Sequence, residues 1–294
     1  MTSNRTKVNG IKIRLKMILL FFHCLLSKDP ELREITKQII KLRHLRIFPY
    51  DFPEKYKQSD IDVYYDMDGY PYVIRNGEKL FLKKEWTKEQ CQEFYNEIRI
   101  EQDINSPHRY ITTNDRAPLS SDIVADIGAA EGFFSLDVIK KVEKIYIFEA
   151  DDQWLIPLHK TFDKWGEKVE IVHKYVSEID DDINVSLDTF FKGRNVTYIK
   201  ADIEGAEEKM ISGAKYVLNY LVNKVVICTY HRNSDEKKMS SLISKLGFDV
   251  TFNKGYMIFF YDDSTFKYPY IRRGVMFGIK PNNNIDKRGA IKND

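Results

Sequence analysis

The chain has 294 residues, 43% of them hydrophobic and 31% charged, which excludes a disordered protein and allows a sizeable core. Its three cysteines lie far apart without a C-x-x-C pair, which argues against a zinc finger or disulfide framework and predicts a reducing, cytoplasmic compartment. The formal net charge is only +2, but the first 50 residues hold eleven Lys or Arg and three Asp or Glu. This basic leader indicates either a solvated helical face or a weak contact of residues 5–46 with a membrane surface or an acidic partner.

Two helices are expected in the basic leader, over 11–26 and 31–45. The apolar cluster at 17–22 is too short to span a bilayer, which takes about 20 apolar residues. No small-residue cleavage site follows it, so a secretory signal is not expected. Residues 1–50 are therefore interpreted as a basic helical extension.

A small β-meander and one helix are predicted next. The dipeptides D-G at 68–69 and N-G at 76–77 are strong hairpin signals. The three strands they separate are expected at 61–65, 72–75 and 79–82. Thr87 is a suitable N-cap for a helix that runs through residue 99. Residues 51–118 are interpreted as a cap or acceptor-side subdomain.

The loop at 101–110 is crowded with polar side chains around a proline. Such a loop at the entrance to a binding domain can line the pocket, or it can be an ordinary solvated connector. The first interpretation makes Gln102, His108 and Tyr110 candidates for substrate contact.

Strand and helix candidates alternate from residue 119 to residue 280. Strands are expected at 123–126, 144–149, 169–172, 197–202 and 224–230, and at 249–253 and 256–261 as a hairpin around Lys254-Gly255. Helices are expected at 133–142, 152–164, 206–221 and 235–246. This alternation predicts an α/β domain with a doubly wound, mostly parallel seven-stranded sheet, preceded by the helical and β-meander extension. The polar tail, residues 281–294, is expected to be flexible.

The first strand of this domain ends in the turn D-I-G-A-A-E-G, residues 126–132. A dinucleotide site needs G-x-G-x-x-G, but counting from Gly128 the other two glycine positions hold Ala130 and Phe133. The turn also carries two carboxylates beside a helix N-terminus, where they repel a diphosphate. It therefore favours a cationic cofactor without phosphate, such as S-adenosylmethionine, over NAD(P).

Five sequence blocks follow one another in the order found in the FkbM family of methyltransferases, which the chain resembles over about residues 122–262. They are D-I-G-A with E-G-F-F, F-E-A-D, S-L-D-T-F, I-K-A-D-I-E-G-A-E and T-Y-H-R. The resemblance implies a class I, Rossmann-like methyltransferase that uses S-adenosylmethionine, usually to O-methylate a sugar or natural-product hydroxyl, as in polysaccharide biosynthesis. Ala130 departs from the family, which commonly has Asn there.

The resemblance also assigns cofactor contacts. Asp126 is expected at the methionyl end of the cofactor and Glu149, about 21 residues after Gly128, at the ribose hydroxyls. The other expected contacts are Gly128, Ala129, Ala130, Gly132, Phe133, Ala150, Asp151, Val176 and Asp202.

Three side chains after the fourth and fifth strands are candidates for catalysis. Asp202 and Glu204 can orient the acceptor, take a proton or hold a divalent metal, or they can cap the next helix; no metal is assigned. His231 has an ordinary pKa near 6.5 that suits a general base. His108 is the alternative base, and Arg232 is a candidate for substrate contact.

The resulting prediction is an S-adenosylmethionine-dependent O-methyltransferase with a carbohydrate or other small-molecule acceptor. An NAD(P)-type oxidoreductase and a non-catalytic nucleotide-binding module are the alternatives. Nucleic acid is not expected as a partner, because the basic residues gather in the N-terminal helices and no N-P-P-Y loop is present. The sequence does not indicate the oligomeric state.

Overall fold

A computed structural model of the chain describes residues 10–41, 46–111, 115–259 and 267–281. The helices are α1 (Gly10–Leu26), α2 (Pro30–Lys41), α3 (Lys88–Glu101), α4 (Phe133–Val138), α5 (Asp152–Phe162), α6 (Leu187–Phe190), α7 (Glu207–Ser212) and α8 (Asp235–Lys245). The strands are β1 (Tyr64–Tyr65), β2 (Pro71–Arg75), β3 (Glu78–Phe81), β4 (Ile123–Ile127), β5 (Lys144–Phe148), β6 (Val169–Val172), β7 (Tyr175–Val176), β8 (Asn184–Val185), β9 (Tyr198–Ala201), β10 (Lys224–Cys228), β11 (Asp249–Phe252), β12 (Met257–Ile258), β13 (Ile271–Arg272) and β14 (Val275–Ile279). Short 3₁₀ turns occur at Phe52–Lys55, Gln58–Asp60 and Asp163–Lys168, and a π turn at Val217–Leu221.

The large sheet has seven strands in the order β6-β5-β4-β9-β10-β14-β11. Strand β14 is antiparallel to both of its neighbours, and the other pairs in the sheet are parallel. The strand order reverses between β4 and β9, and ligands of open α/β sheets bind at the carboxyl ends of the strands at such a switch point. The predicted doubly wound, mostly parallel seven-stranded α/β sheet is therefore confirmed.

The predicted hairpin at 249–253 and 256–261 is wrong. Strand β11 pairs with β14, which was not predicted, whereas β12 pairs with β13 in a separate two-stranded sheet. Gly255 (φ +99°) packs against the N-terminal region, since a Cβ there would lie 2.5 Å from the Tyr50 hydroxyl. That contact turns the chain away from β11. Residues 260 and 261 of the predicted strand lie outside the described residues.

The helices agree with the periodicity of the sequence, with two exceptions. The predicted helix at 133–142 ends as α4 at Val138. The predicted helix at 206–221 is divided into α7 and a π turn, with Gly213 packed so closely that a Cβ there would lie 2.1 Å from the Ser177 carbonyl oxygen. Helix α3 starts in a capping box formed by Thr87 and Gln90. The predictions for residues 1–9, 42–45 and 282–294, including the flexible tail, concern positions outside the described residues.

Two hydrophobic clusters cover the two faces of the sheet. Successive residues of β4, such as Val124 and Ala125, belong to different clusters, because neighbouring side chains of a strand point to opposite faces. The first cluster also contains Leu80 from the β-meander and Ile98 from α3. The meander and α3 therefore cover one face of the sheet and reach its carboxyl edge. The division of the chain into the four predicted domains stays a prediction.

Candidate functional site

A cavity of about 520 Å³ lies at the carboxyl ends of β4, β5 and β9, which is the size of a small-molecule site. Its walls come from the turn after β4, the ends of β5 and β9, strand β7 and the end of α3. Of the 17 predicted site residues, the following twelve line it: Gln102, Tyr110, Gly128, Ala129, Ala130, Phe133, Glu149, Ala150, Asp151, Val176, Asp202 and Glu204. The other five, which do not line it, are Asp126, Gly132, His108, His231 and Arg232.

The turn after β4 is held by close backbone packing. Gly128 has a left-handed backbone (φ +70°), and a Cβ there would lie 2.1 Å from the carbonyl oxygen of Asp202. Gly132 is also left-handed (φ +82°), and a Cβ there would lie 2.5 Å from the Phe162 ring. Gly132 thus serves the packing of the turn against α5 rather than the cavity wall. Glycine is required at both positions because of the left-handed backbone and the close packing.

Glu149 fastens this turn from the end of β5. Its carboxylate accepts hydrogen bonds from the backbone N–H of Ala130 at 2.7 Å and of Asp151 at 2.8 Å. An ionised carboxylate has about four acceptor positions, so two remain after these bonds. Glu149 can therefore hold the turn and still accept hydrogen bonds from two ligand hydroxyls.

Asp126 lies beneath the turn and not on the cavity wall, unlike the prediction. It is fully buried, accepts a hydrogen bond from the Ser135 hydroxyl at 2.7 Å and lies 3.0 Å from the Lys200 ammonium. Lys200 also donates to the Gly128 carbonyl at 2.9 Å. Burial alone would lower the pKa of Lys200, but the carboxylates of Asp126 and Asp202 raise it above its usual value. Asp126 therefore supports the turn through a buried ion pair.

Asp202 is the centre of a polar network at the other end of the cavity. The Tyr110 hydroxyl donates to it at 2.7 Å and the Tyr230 hydroxyl at 3.3 Å. The imidazole of His231 lies 3.2 Å from the same carboxylate. Burial by itself would raise the pKa of Asp202, but the hydrogen bond and charge of His231, together with the charge of Lys200, bring it well below its usual value. Asp202 is therefore a fixed anion that can orient a ligand.

His231 lies behind Asp202, clamped between two carboxylates. Its Nε2 is 3.2 Å from Asp202 and its Nδ1 is 3.0 Å from Glu207. Although burial lowers the pKa of His231, these two carboxylates raise it to about 10. The imidazole thus carries a proton at neutral pH, which does not suit the predicted role of general base.

Glu204 and Arg232 follow the carboxyl ends of β9 and β10, respectively. Glu204 adopts a left-handed backbone (φ +54°) and its exposed carboxylate lines the cavity 3.6 Å from the His231 Nε2. The guanidinium of Arg232 instead packs over Gly205, outside the cavity. The predicted substrate contact of Arg232 is therefore not supported.

His108 is also behind the cavity wall rather than on it. It is 1% exposed, with its Nε2 at 3.7 Å from Asp202 and 3.9 Å from the Cys228 sulfur. Burial lowers the pKa of His108 to about 4, so its imidazole is uncharged at neutral pH. It contacts the rings of Tyr110 and Tyr230 and so positions them instead of contacting a substrate.

Within the described part of the chain, two groups of side chains have the types and spacing of metal ligands, with their ligand atoms within 4.8 Å of one another. One is His108, Asp202 and Cys228, and the other is Asp202, Glu207 and His231. In the second group His231 already pairs with both carboxylates, and in the first His108 contacts Asp202 at 3.7 Å and Cys228 at 3.9 Å. Neither group needs an ion to account for its arrangement.

Glu101 is a cavity residue that the sequence reasoning missed. It ends α3, lines the cavity and lies 3.9 Å from the Nδ1 of His108. Burial, together with the charge of Asp202, raises the pKa of Glu101 to about 8. Its place as the first residue of the polar loop at 101–110 was the available signal. A carboxyl group with this pKa can exchange a proton near neutral pH.

The cavity carries an excess of negative charge. Among the described residues, six acidic side chains line it, against three lysines, although burial raises the pKa of Glu101 to about 8 and of Glu131 to about 7 and leaves these two partly protonated at neutral pH. Each lysine is already bound: Lys83 to Asp151, Lys174 to the Asp181 carbonyl and Lys200 to the Gly128 carbonyl, all at 2.9 Å. The six acidic side chains are Glu101, Glu131, Glu149, Asp151, Asp202 and Glu204. Such a wall suits a cationic ligand and repels a diphosphate.

The ion pairs of His231 predict a pH-dependent contribution to stability. Because the pKa is about 10 in the folded protein and about 6.5 in the unfolded chain, the contribution is complete below pH 6.5 and is lost as pH rises to about 10. The difference in unfolding free energy between the parent and His231→Gln, measured by urea denaturation, is expected to shrink over that range. His159→Gln, at a solvent-facing histidine beside Asp163, is the control. A difference that is constant with pH contradicts the clamped imidazolium.

No protein-family model and no curated protein matches the sequence. Similar solved structures include a methyltransferase FkbM from Methylobacillus flagellatus KT, with 17% identity and a TM-score of 0.47 over 65% of this chain and 53% of that one. An rRNA methylase from Streptococcus thermophilus has 15% identity and a TM-score of 0.34 over 55% and 88% of the two chains. TrmK from M. capricolum, in complex with S-adenosyl-homocysteine, has 15% identity and a TM-score of 0.36 over 56% and 65%.

The first of these structures carries the name of the family that the sequence motifs resemble. The chain spans about half of its length. At these identities and TM-scores, none of the similarities assigns a family or an activity to the chain.

Proposed function

We propose that the chain is an S-adenosylmethionine-dependent O-methyltransferase acting on a hydroxyl of a carbohydrate or related small molecule. The observation that carries the proposal is the acid-lined cavity over a turn that has no diphosphate-binding glycine pattern. S-adenosylmethionine has an ammonium, a sulfonium, a ribose diol and no phosphate. The excess of carboxylates therefore fits its charge, and the same excess disfavours NAD(P).

The residues of the cavity suggest how the cofactor would be held. Glu149 has two free acceptor positions for the ribose hydroxyls, and the backbone of the Gly128 turn is open to the methionyl end. Ala150, Asp151 and Val176 line the same end of the cavity and are proposed contacts of the adenosine. When bound, S-adenosylmethionine supplies an electrophilic methyl group on its sulfonium.

The chain's own residues would position the acceptor and remove its proton. Methyl transfer is an in-line displacement, so its rate depends on how well the acceptor hydroxyl is aligned. Asp202, oriented by the hydroxyls of Tyr110 and Tyr230, is proposed to accept a hydrogen bond from the acceptor. Because His231 is already protonated, we assign the proton acceptor to Glu101, and Glu204 to the acceptor wall.

The charge of the cavity also bears on the class of acceptor. A nucleic acid presents a phosphate at every nucleotide and binds mainly through free Lys and Arg. The cavity instead presents the carboxylates of Glu149, Asp151 and Asp202, and its lysines already have hydrogen-bond partners. A neutral, hydroxyl-rich acceptor such as a sugar is therefore favoured over RNA or DNA.

The three cysteines are buried and free, in keeping with the predicted reducing, cytoplasmic compartment.

Calorimetric titration of the pure protein with S-adenosylmethionine tests the proposal. Binding is expected, and Glu149→Gln is expected to weaken it about 10–100-fold, since hydrogen bonds to a charged group contribute about 1.5–3 kcal/mol. The matched control is Glu143→Gln, an exposed glutamate just before β5, at the opposite end of that strand.

Three results would separate the alternatives. Binding of NAD(P) without S-adenosylmethionine would favour the oxidoreductase and overturn the proposal. Tight S-adenosylmethionine binding with no transfer of tritiated methyl to any carbohydrate fraction would favour the non-catalytic module. Transfer to RNA instead would keep the methyltransferase but contradict the proposed acceptor.

A further inference from the structure

Helix α1 exposes a continuous apolar stripe to solvent. The stripe is spaced at three or four residues along the helix and so occupies one face. Its members, between 42% and 79% exposed, are Leu15, Ile18, Leu19, Phe22, Leu25 and Leu26. Single exposed apolar side chains are common, but a contiguous set of six marks a surface that contacts a partner or a membrane.

The opposite face of α1 already provides its packing. Leu20 and Cys24 are completely buried, in a cluster with Ile35 of α2 and with Ile258 and Ile271 of the β12–β13 sheet. The stripe is therefore not needed to hold α1 on the protein. No described segment of the chain buries it, so a stripe of this extent on one face indicates a surface for an external partner.

Positive charge flanks both ends of the stripe. Exposed Arg14 stands at its N-terminal end and exposed Lys28 follows its C-terminal end, while exposed Arg33 lies on α2. The first 50 residues contain eleven basic and three acidic residues. An apolar stripe bordered by Lys and Arg is complementary to an anionic bilayer, whose headgroups attract the cations while the acyl boundary accepts the apolar side chains.

We propose that α1 lies in the interface of an anionic phospholipid membrane, with its apolar stripe in the acyl boundary and its basic residues among the headgroups. Helix α1 has 17 residues, which is about 26 Å at 1.5 Å per residue and short of the roughly 30 Å hydrocarbon core. In the described part of the chain, no helix meets the length and apolarity that a bilayer crossing requires. The inference concerns a surface apart from the cavity and does not depend on the proposed reaction.

Vesicle flotation of the full chain tests the inference. The protein is expected to float with vesicles of phosphatidylglycerol and phosphatidylcholine and far less with phosphatidylcholine alone. Ile18→Glu with Phe22→Glu is expected to weaken flotation at least tenfold, and Arg14→Glu with Lys28→Glu about fivefold or more for each charge removed. The matched control is Ile183→Glu with Tyr220→Glu, since these side chains are 61% and 74% exposed and lie outside α1.

Three outcomes would overturn the inference. The parent protein does not float with anionic vesicles, or the stripe variant floats as well as the parent. The third is that neither the parent nor the stripe variant floats, while light scattering shows a dimer for the parent and a monomer for the stripe variant. A second copy of the chain would then cover the stripe. Thermal melting by circular dichroism confirms that each variant is folded, and the charge variant gives a second measurement with the apolar stripe intact.

Discussion

Glu101→Gln is expected to lose about 10²–10⁴-fold in kcat while its affinity for S-adenosylmethionine changes less than twofold. The amide keeps the shape of the side chain but cannot take the proton of the acceptor hydroxyl. Single-turnover transfer of tritiated methyl, to an acceptor found by screening carbohydrate fractions, measures the loss. Calorimetry measures the affinity.

The pH profile tests the role of Glu101 separately from its packing. A base must be deprotonated, so kcat/KM of the parent enzyme is expected to rise with pH through about 8 and level off above it. The variant is expected to lack this rise. Glu93→Gln, two turns earlier on α3 at an exposed position outside the cavity, is expected to keep both the rate and the rise. A profile unchanged in Glu101→Gln would contradict the assignment.

Gly128→Ala is expected to destabilise the protein by about 3–5 kcal/mol, at the high end for a single substitution. The new Cβ would lie 2.1 Å from the Asp202 carbonyl oxygen and 2.8 Å from the Ile203 side chain. The backbone after β9 and the turn at Gly128 pack against each other, so neither can move alone to make room. The free energy of unfolding from urea denaturation measures the loss. Because Asp202 must shift, binding of S-adenosylmethionine is expected to be lost as well.

Gly193→Ala separates the steric cost from the backbone cost. Gly193 has a similar left-handed backbone (φ +77°), but no atom lies within 4 Å of a Cβ built there. Only the strain of an L-residue in that conformation remains, about 1–2 kcal/mol. If the two variants lose equal stability, the close approach between the turn and β9 is not what Gly128 provides.

The regular part of the fold was predictable because its signals are local. Strands β4 and β5 are apolar runs followed by a glycine turn and by a glutamate, and Thr87 indicates the start of α3 because it is a good N-cap residue. Strand β14 was not predicted because Gly278 interrupts its short apolar run, V-M-F-G-I, and because its two partners come earlier in the chain. The hairpin predicted at Lys254-Gly255 was wrong because this glycine packs against Tyr50, which lies more than 200 residues away in the sequence.

The candidate site was less predictable than the fold, for the same reason. The acidic residues that follow the strands could be placed at the site, since the carboxyl ends of parallel strands share one edge of the sheet. The protonation state of each side chain could not be predicted, because it depends on partners that are distant in sequence. Tyr110 reaches Asp202 across 92 residues, and the Glu207 carboxylate that keeps His231 protonated has its effect only once α7 has folded beside β10.

The place of β14 in the sheet has a consequence for synthesis on the ribosome. Strand β14 lies between β10 and β11, yet residues 229–274 separate it from β10 along the chain. At about 5–20 residues per second, a nascent chain shows the apolar edge of β10 unpaired for roughly 2–10 s, and such an edge is a template for aggregation. The yield of folded protein should therefore depend on the speed of translation through this stretch and on chaperones that shield the edge until β14 emerges.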